Sequence, residues 1–97
     1  MVSFNVEKES LTCSFMGRLD TSECARWEPD LFARIQEFEL PVVFDLRGVD
    51  YVSSFFLRIC LRVLKEVGPG RFALINENPE VKKVFKIAGF DKLLSIE

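Results

Sequence analysis

The chain predicts one α/β domain over residues 1–97: a mixed β-sheet in the order β-β-α-β-α-β-α-β, with helices packed on the sheet. Three observations predict it. Residues 4–15 alternate apolar and polar, as half-buried strands do. Residues 42–44 and 72–75 are short continuous apolar runs, the form of strands buried in the middle of a sheet. The segments between them carry apolar residues at helical spacing, and parallel strands so far apart need such helical, right-handed returns.

Phe4 and Val6, then Leu11, Cys13 and Phe15, mark two N-terminal strands joined by a turn near Glu9-Ser10. The second strand runs into Gly17-Arg18-Leu19-Asp20, where Asp20 with Glu23 three residues on forms a capping pair for a first helix. Cys24, Trp27, Leu31, Ile35 and Phe38 share one face of that helix. Pro29 falls inside the pattern, so the helix either kinks there or takes Pro29 into a new first turn.

After Pro41, Val42-Val43-Phe44 reads as a central strand buried on both faces, with Asp45 and Asp50 in the turn that follows. A second helix spans about Ser54 to Val67 and stops at Gly68-Pro69-Gly70. Phe72-Ala73-Leu74-Ile75 is the next buried strand. Asn78-Pro79 with Val81, Val84, Phe85 and Ala88 makes a third helix, closed by Gly89, and Leu93-Leu94-Ser95-Ile96 is the last strand.

Composition narrows the chemistry. Ten Phe and one Trp give a small chain large side chains to bury, so no staples are required. Cys13, Cys24 and Cys60 are odd in number and widely spaced, with no C-x-x-C pair and no histidine to complete a zinc site. They read as reduced core thiols of a cytoplasmic protein. Residues 1–7 lack a basic leader and an apolar stretch, and no run approaches the roughly 18 apolar residues of a membrane span. A net charge of −2 argues against nucleic acid as partner, and Lys82, Lys83 and Lys86 suit a solvated helix face.

An enzyme is not expected. There is no histidine for general base work, no G-x-x-x-x-G-K-[ST] loop, no G-x-S-x-G elbow and no metal cluster, and no cofactor is implied.

Four stretches in order resemble the STAS domain, the fold of bacterial anti-sigma factor antagonists, over essentially the whole chain. They are Gly17-Arg18-Leu19-Asp20, Asp45-Leu46, Tyr51-Val52-Ser53-Ser54 with Leu57, and Val81 through Gly89-Phe90-Asp91-Lys92-Leu93. In that family the junction reads apolar-apolar-Asp-Ser-(Ser or Thr)-Gly-Leu-Gly. Its third polar residue is phosphorylated by a kinase that doubles as an anti-sigma factor. Position by position, Ser53 stands at the Asp, Ser54 at the first Ser, Phe55 at the phosphoacceptor and Phe56 at the glycine. Phe55 can accept no phosphate, so a charge-based off switch would need another hydroxyl, Ser54 first, with Thr21 or Ser95 as alternatives.

The resemblance implies a module that binds another protein: a kinase-like anti-sigma factor in partner switching, or the ATPase of a membrane lipid-transport ABC complex gripped without a phosphorylation cycle. A small-ligand or anion sensor at the Ser53-Ser54 helix start is the alternative of another class. A homodimer stays open, and no direct membrane insertion is expected.

On a helical wheel Phe55 shares an arc with Arg58, Arg62, Lys65 and Glu66, opposite Phe56, Cys60, Val63, Leu64 and Val67. Phe55 is then either an exposed anchor for a partner, rimmed by Arg58 and Arg62, or a ring folded back to cap the core. Ser53 and Ser54 suit helix capping alone, and Asp20 suits a cap or a carboxylate placed near Ser54. The candidate partner-binding set is therefore Asp20, Ser53, Ser54, Phe55, Arg58 and Arg62.

Overall fold

The computed structural model describes residues 2–97. Strands β1 (Val2–Glu7) and β2 (Ser10–Leu19) form an antiparallel hairpin whose turn residues, Lys8 and Glu9, both lie at positive φ (49° and 66°). Two left-handed residues are the requirement of a two-residue turn whose twist matches its strands. The turn thus sits one residue earlier than Glu9-Ser10. Helix α1 (Thr21–Phe38), strand β3 (Val42–Val52), helix α2 (Ser54–Val67), strand β4 (Phe72–Ile75), helix α3 (Pro79–Ile87), a 3₁₀ turn at Phe90–Lys92 and strand β5 (Ser95–Ile96) follow.

The sheet order is β1-β2-β3-β4-β5, parallel from β2 onward. Each crossover steps one strand in the same direction, so right-handed connections put every helix on one face. The rings show it: Trp27 of α1 and Phe85 of α3 both meet Phe56 of α2, at 6.2 and 6.4 Å between centroids. Leu11, Cys13, Phe15, Val42, Phe44, Phe72 and Leu74 point under the helices and are buried. Thr12, Ser14, Val43, Asp45, Ala73 and Ile75 point the other way and are only half-buried. β3 and β4 are therefore covered on one face, not two. An apolar run cannot distinguish these cases, because Val43, Ala73 and Ile75 are tolerated on the open face.

β3 is also far longer than the apolar run. It carries two one-residue bulges against β2, between the Ser14–Asp45 and Met16–Gly48 pairs and again between Gly17–Val49 and Arg18–Tyr51. Asp45 and Asp50 therefore lie within the strand and not in a turn after it. The bulges break the alternation of inward residues, which is why the pattern in the sequence stops at Leu46.

Asp20 caps α1 as its spacing predicts, with Oδ1 accepting from the Glu23 N–H at 2.9 Å. α1 continues through Pro29 without interruption. Pro29 has no N–H for the Ala25 carbonyl, and both residues are exposed, so that carbonyl is not left buried without a partner. The buried face of α1 includes Phe32, while Phe38 is exposed near the helix end. In α3 only Val81 and Phe85 are buried; Val84 and Ala88 face solvent. The last strand is two residues long, and Leu93 is exposed in the turn before it. No helix among the described residues is long and apolar enough to cross a membrane.

All three thiols are free and buried. Burial pushes Cys13 up to about 12, against a smaller pull from Arg34. Burial likewise pushes Cys24 up to about 11, offset in part by a hydrogen bond with Ser53, and pushes Cys60 well above its ordinary value. Unfolded thiols ionise near 9.0, while the folded chain keeps its protons beyond that. Stability is therefore full below pH 9 and falls as pH rises through about 11 and about 12. Urea melts across pH 8 to 12 are expected to show this decline, and Cys13→Ala is expected to flatten it. Phe56→Ala is expected to cost about 3–5 kcal/mol by the same melts, the range for deleting a fully buried ring.

Candidate functional site

β2 and β3 end side by side, Leu19 opposite Val52, and each runs directly into a helix. The Ser53 N–H donates to the Leu19 carbonyl at 3.1 Å, which fixes the two junctions to each other. Asp20 and Ser53 follow as the two N-caps. Ser53 Oγ accepts from the Phe56 N–H at 3.2 Å, and the Ser53 carbonyl accepts from the Leu57 N–H at 3.1 Å. With its hydroxyl turned inward and 8% of its surface exposed, Ser53 is a structural cap. Ser54, the first helical residue, is exposed. Of the two serines, only Ser54 offers its side chain to solvent.

At the first junction, the Arg18 guanidinium lies 3.9 Å from the Tyr51 ring centroid, and its Nε is 3.9 Å from Asp20 Oδ2. Asp20 thus serves the α1 cap and holds Arg18 across the strand ends. It follows Leu19, whose carbonyl accepts from the Ser53 N–H, so the strand pairing sets the two caps side by side.

α2 sets the rest. Phe56 is completely buried, so the residue before it, about 100° back around the helix, turns outward. Phe55 is half-buried on the lip of a cleft of about 270 Å³ between α1 and α2, lined by Glu28, Phe55, Arg58, Ile59 and Arg62. One side of Phe55 packs on the core and the other faces the cleft. Arg58 lies 5.8 Å from the Phe55 ring centroid. Arg62 reaches Glu28 at 3.7 Å and stacks 3.8 Å from the Phe32 ring centroid.

The cleft therefore brings together Phe55, Arg58 and Arg62 of the expected set, while Asp20 and Ser53 occupy the neighbouring strand ends. Sequence reasoning missed the α1 lip, Glu28 and Phe32. These are four residues apart on one face of α1, and what places that face against Arg62 is helix packing, for which the sequence carries no local signal. Lys83 and Lys86 face solvent on α3, and Lys82 is half-buried there. Among the described residues there is no cluster suited to a metal ion.

The STAS domain family profile matches residues 3–97. A Bordetella bronchiseptica protein provisionally named anti-sigma factor antagonist BtrV is 34% identical over 82 residues, covering 82% of this chain and 71% of its own length. An anti-sigma factor antagonist structure from Mycobacterium paratuberculosis superposes with a TM-score of 0.88 at 19% identity, covering 99% of this chain and 83% of that one. The Bacillus cell fate determinant SpoIIAA, in its phosphorylated form, gives 0.74 at 17% identity, covering 100% and 91%. Likeness at these identities speaks for the fold alone.

The two serines are separable by experiment. Ser53→Ala is expected to lower stability by about 1 kcal/mol, the usual cost of losing a cap, while Ser54→Ala stays within about 0.5 kcal/mol in thermal or urea melts.

Proposed function

The chain belongs to the STAS domain family, and on that premise we propose that it is an anti-sigma factor antagonist, acting by binding a protein and not by catalysis. The partner in this reading is a kinase-like anti-sigma factor, whose capture frees a sigma factor. The similarity to the Bordetella protein of that name supports the role, since the two share 34% of residues over most of this chain. The observation that carries it is the α2 start: a half-exposed ring at Phe55 beside an arginine, on a lip next to two fixed helix caps. An aromatic with an arginine rim is the composition of a protein-binding anchor.

Phe55 also favours a second reading. The ring stands at the phosphoacceptor by position, so binding at this surface runs without a phosphate there. Such constitutive binding suits a subunit held permanently on an ATPase, as in a membrane lipid-transport ABC complex. Ser54 is the remaining hydroxyl at the junction that a kinase could reach. A phosphate there would place about −1.5 to −2 charge beside Phe55 and weaken an interface built on that ring.

The test is capture from native lysate with wild-type protein beside Phe55→Asp, with Trp27 emission showing that both are folded. A kinase-like anti-sigma factor recovered by wild type and lost from the variant is the expected result. Recovery of an ABC ATPase would replace partner switching with the constitutive reading, and equal recovery by both proteins would remove Phe55 from the interface.

A further inference from the structure

We infer that the cleft between α1 and α2 is the seat of an acidic segment of the partner, with an apolar side chain against Phe55 and Ile59 and a carboxylate on Arg58. The inference rests on the protein-binding reading above and adds the chemistry of what binds.

Charge is the reason. Two guanidinium groups, of Arg58 and Arg62, face the cleft with one carboxylate, that of Glu28. Glu28 is taken by Arg62 at 3.7 Å, and Arg58 pairs with no carboxylate among the described residues. The cleft is thus cationic on a chain whose net charge is −2. α2 adds to this, because its first turn carries no acidic residue and the positive end of its dipole is unopposed there; α1 and α3 have Glu23 and Glu80 in that place.

Geometry matches the charge. Arg62 lies on the Phe32 ring and Arg58 near the Phe55 ring, and a stacked guanidinium keeps its planar edge of donors for a carboxylate. Ile59, 2% exposed, forms an apolar floor between them. A basic or purely apolar segment would leave Arg58 desolvated without a counter-charge, which is costly. An acidic segment with one apolar residue a helical turn from its carboxylate answers both features at once.

The probes are two labelled helical peptides, one with Leu and Glu a turn apart and one with Lys in place of each Glu, titrated into the full chain by fluorescence anisotropy. The Glu peptide is expected to bind at least about tenfold more tightly than the Lys peptide, as one close charge pair permits, and to weaken as salt rises. Arg58→Glu is expected to abolish that preference, while Lys83→Glu on the exposed side of α3 keeps it. Equal binding of the two peptides, binding of neither, or equal loss in both variants would overturn the acidic seat. The antagonist reading fails separately. Loss of lysate capture in Phe55→Asp without any peptide preference would sink only the acidic seat, and peptide preference without capture of an anti-sigma factor would sink only the antagonist.

Discussion

Phe56 sets the rotation of α2, and the candidate surface depends on that rotation. Its ring is fully buried and meets Phe15 at 5.3 Å, Phe44 at 5.8 Å, Trp27 at 6.2 Å and Phe85 at 6.4 Å, so two strands and two helices converge on it. A ring so enclosed leaves α2 one azimuth. From that azimuth the backbone period does the rest, carrying Phe55 to the cleft lip, Arg58 one turn below it, and Ile59 to the cleft floor. The Ser53 cap closes on the Phe56 N–H, so the same residue that anchors the core also receives the helix start.

Phe55 and Phe56 stand next to each other in the chain and take opposite places, one half-buried at the cleft and one fully buried. Phe56 fills the space under the junction with an aromatic ring, and Phe55 presents an apolar surface at its edge. The outcome is a junction closely packed beneath and partly apolar above.

The sequence revealed the element order, the two caps and the start of α2, because those rest on local signals: a side-chain oxygen three residues before an amide, a break at Gly68-Pro69-Gly70, a 3.6-residue stripe. It did not reveal the length of β3, since the bulges at Asp45–Gly48 and Val49–Tyr51 scramble the alternation that marks a strand. Nor did it reveal that the sheet is open on one face, because Val43 and Ala73 suit either environment. Phe55, Arg58 and Arg62 were visible as one arc, but Glu28 and Phe32 belong to a different helix, and their arrival opposite Arg62 is a tertiary fact with no local trace. The polarity of the cleft was hidden for the same reason: α2 carries Arg58, Arg62, Lys65 and Glu66, and which of them meets a charge on α1 depends on packing.

The single hydrogen bond from the Ser53 amide to the Leu19 carbonyl joins two stretches separated by more than thirty residues in the chain. Each of those stretches ends in a helix cap. A shift of backbone at either would drag the other cap off its amide, so the Gly17–Asp20 and Tyr51–Ser54 stretches are in effect one mechanical unit. A substitution that moves the backbone at one of these places therefore loosens the cap at the other, while the cleft residues on the outer faces of α1 and α2 can change one at a time without disturbing either cap.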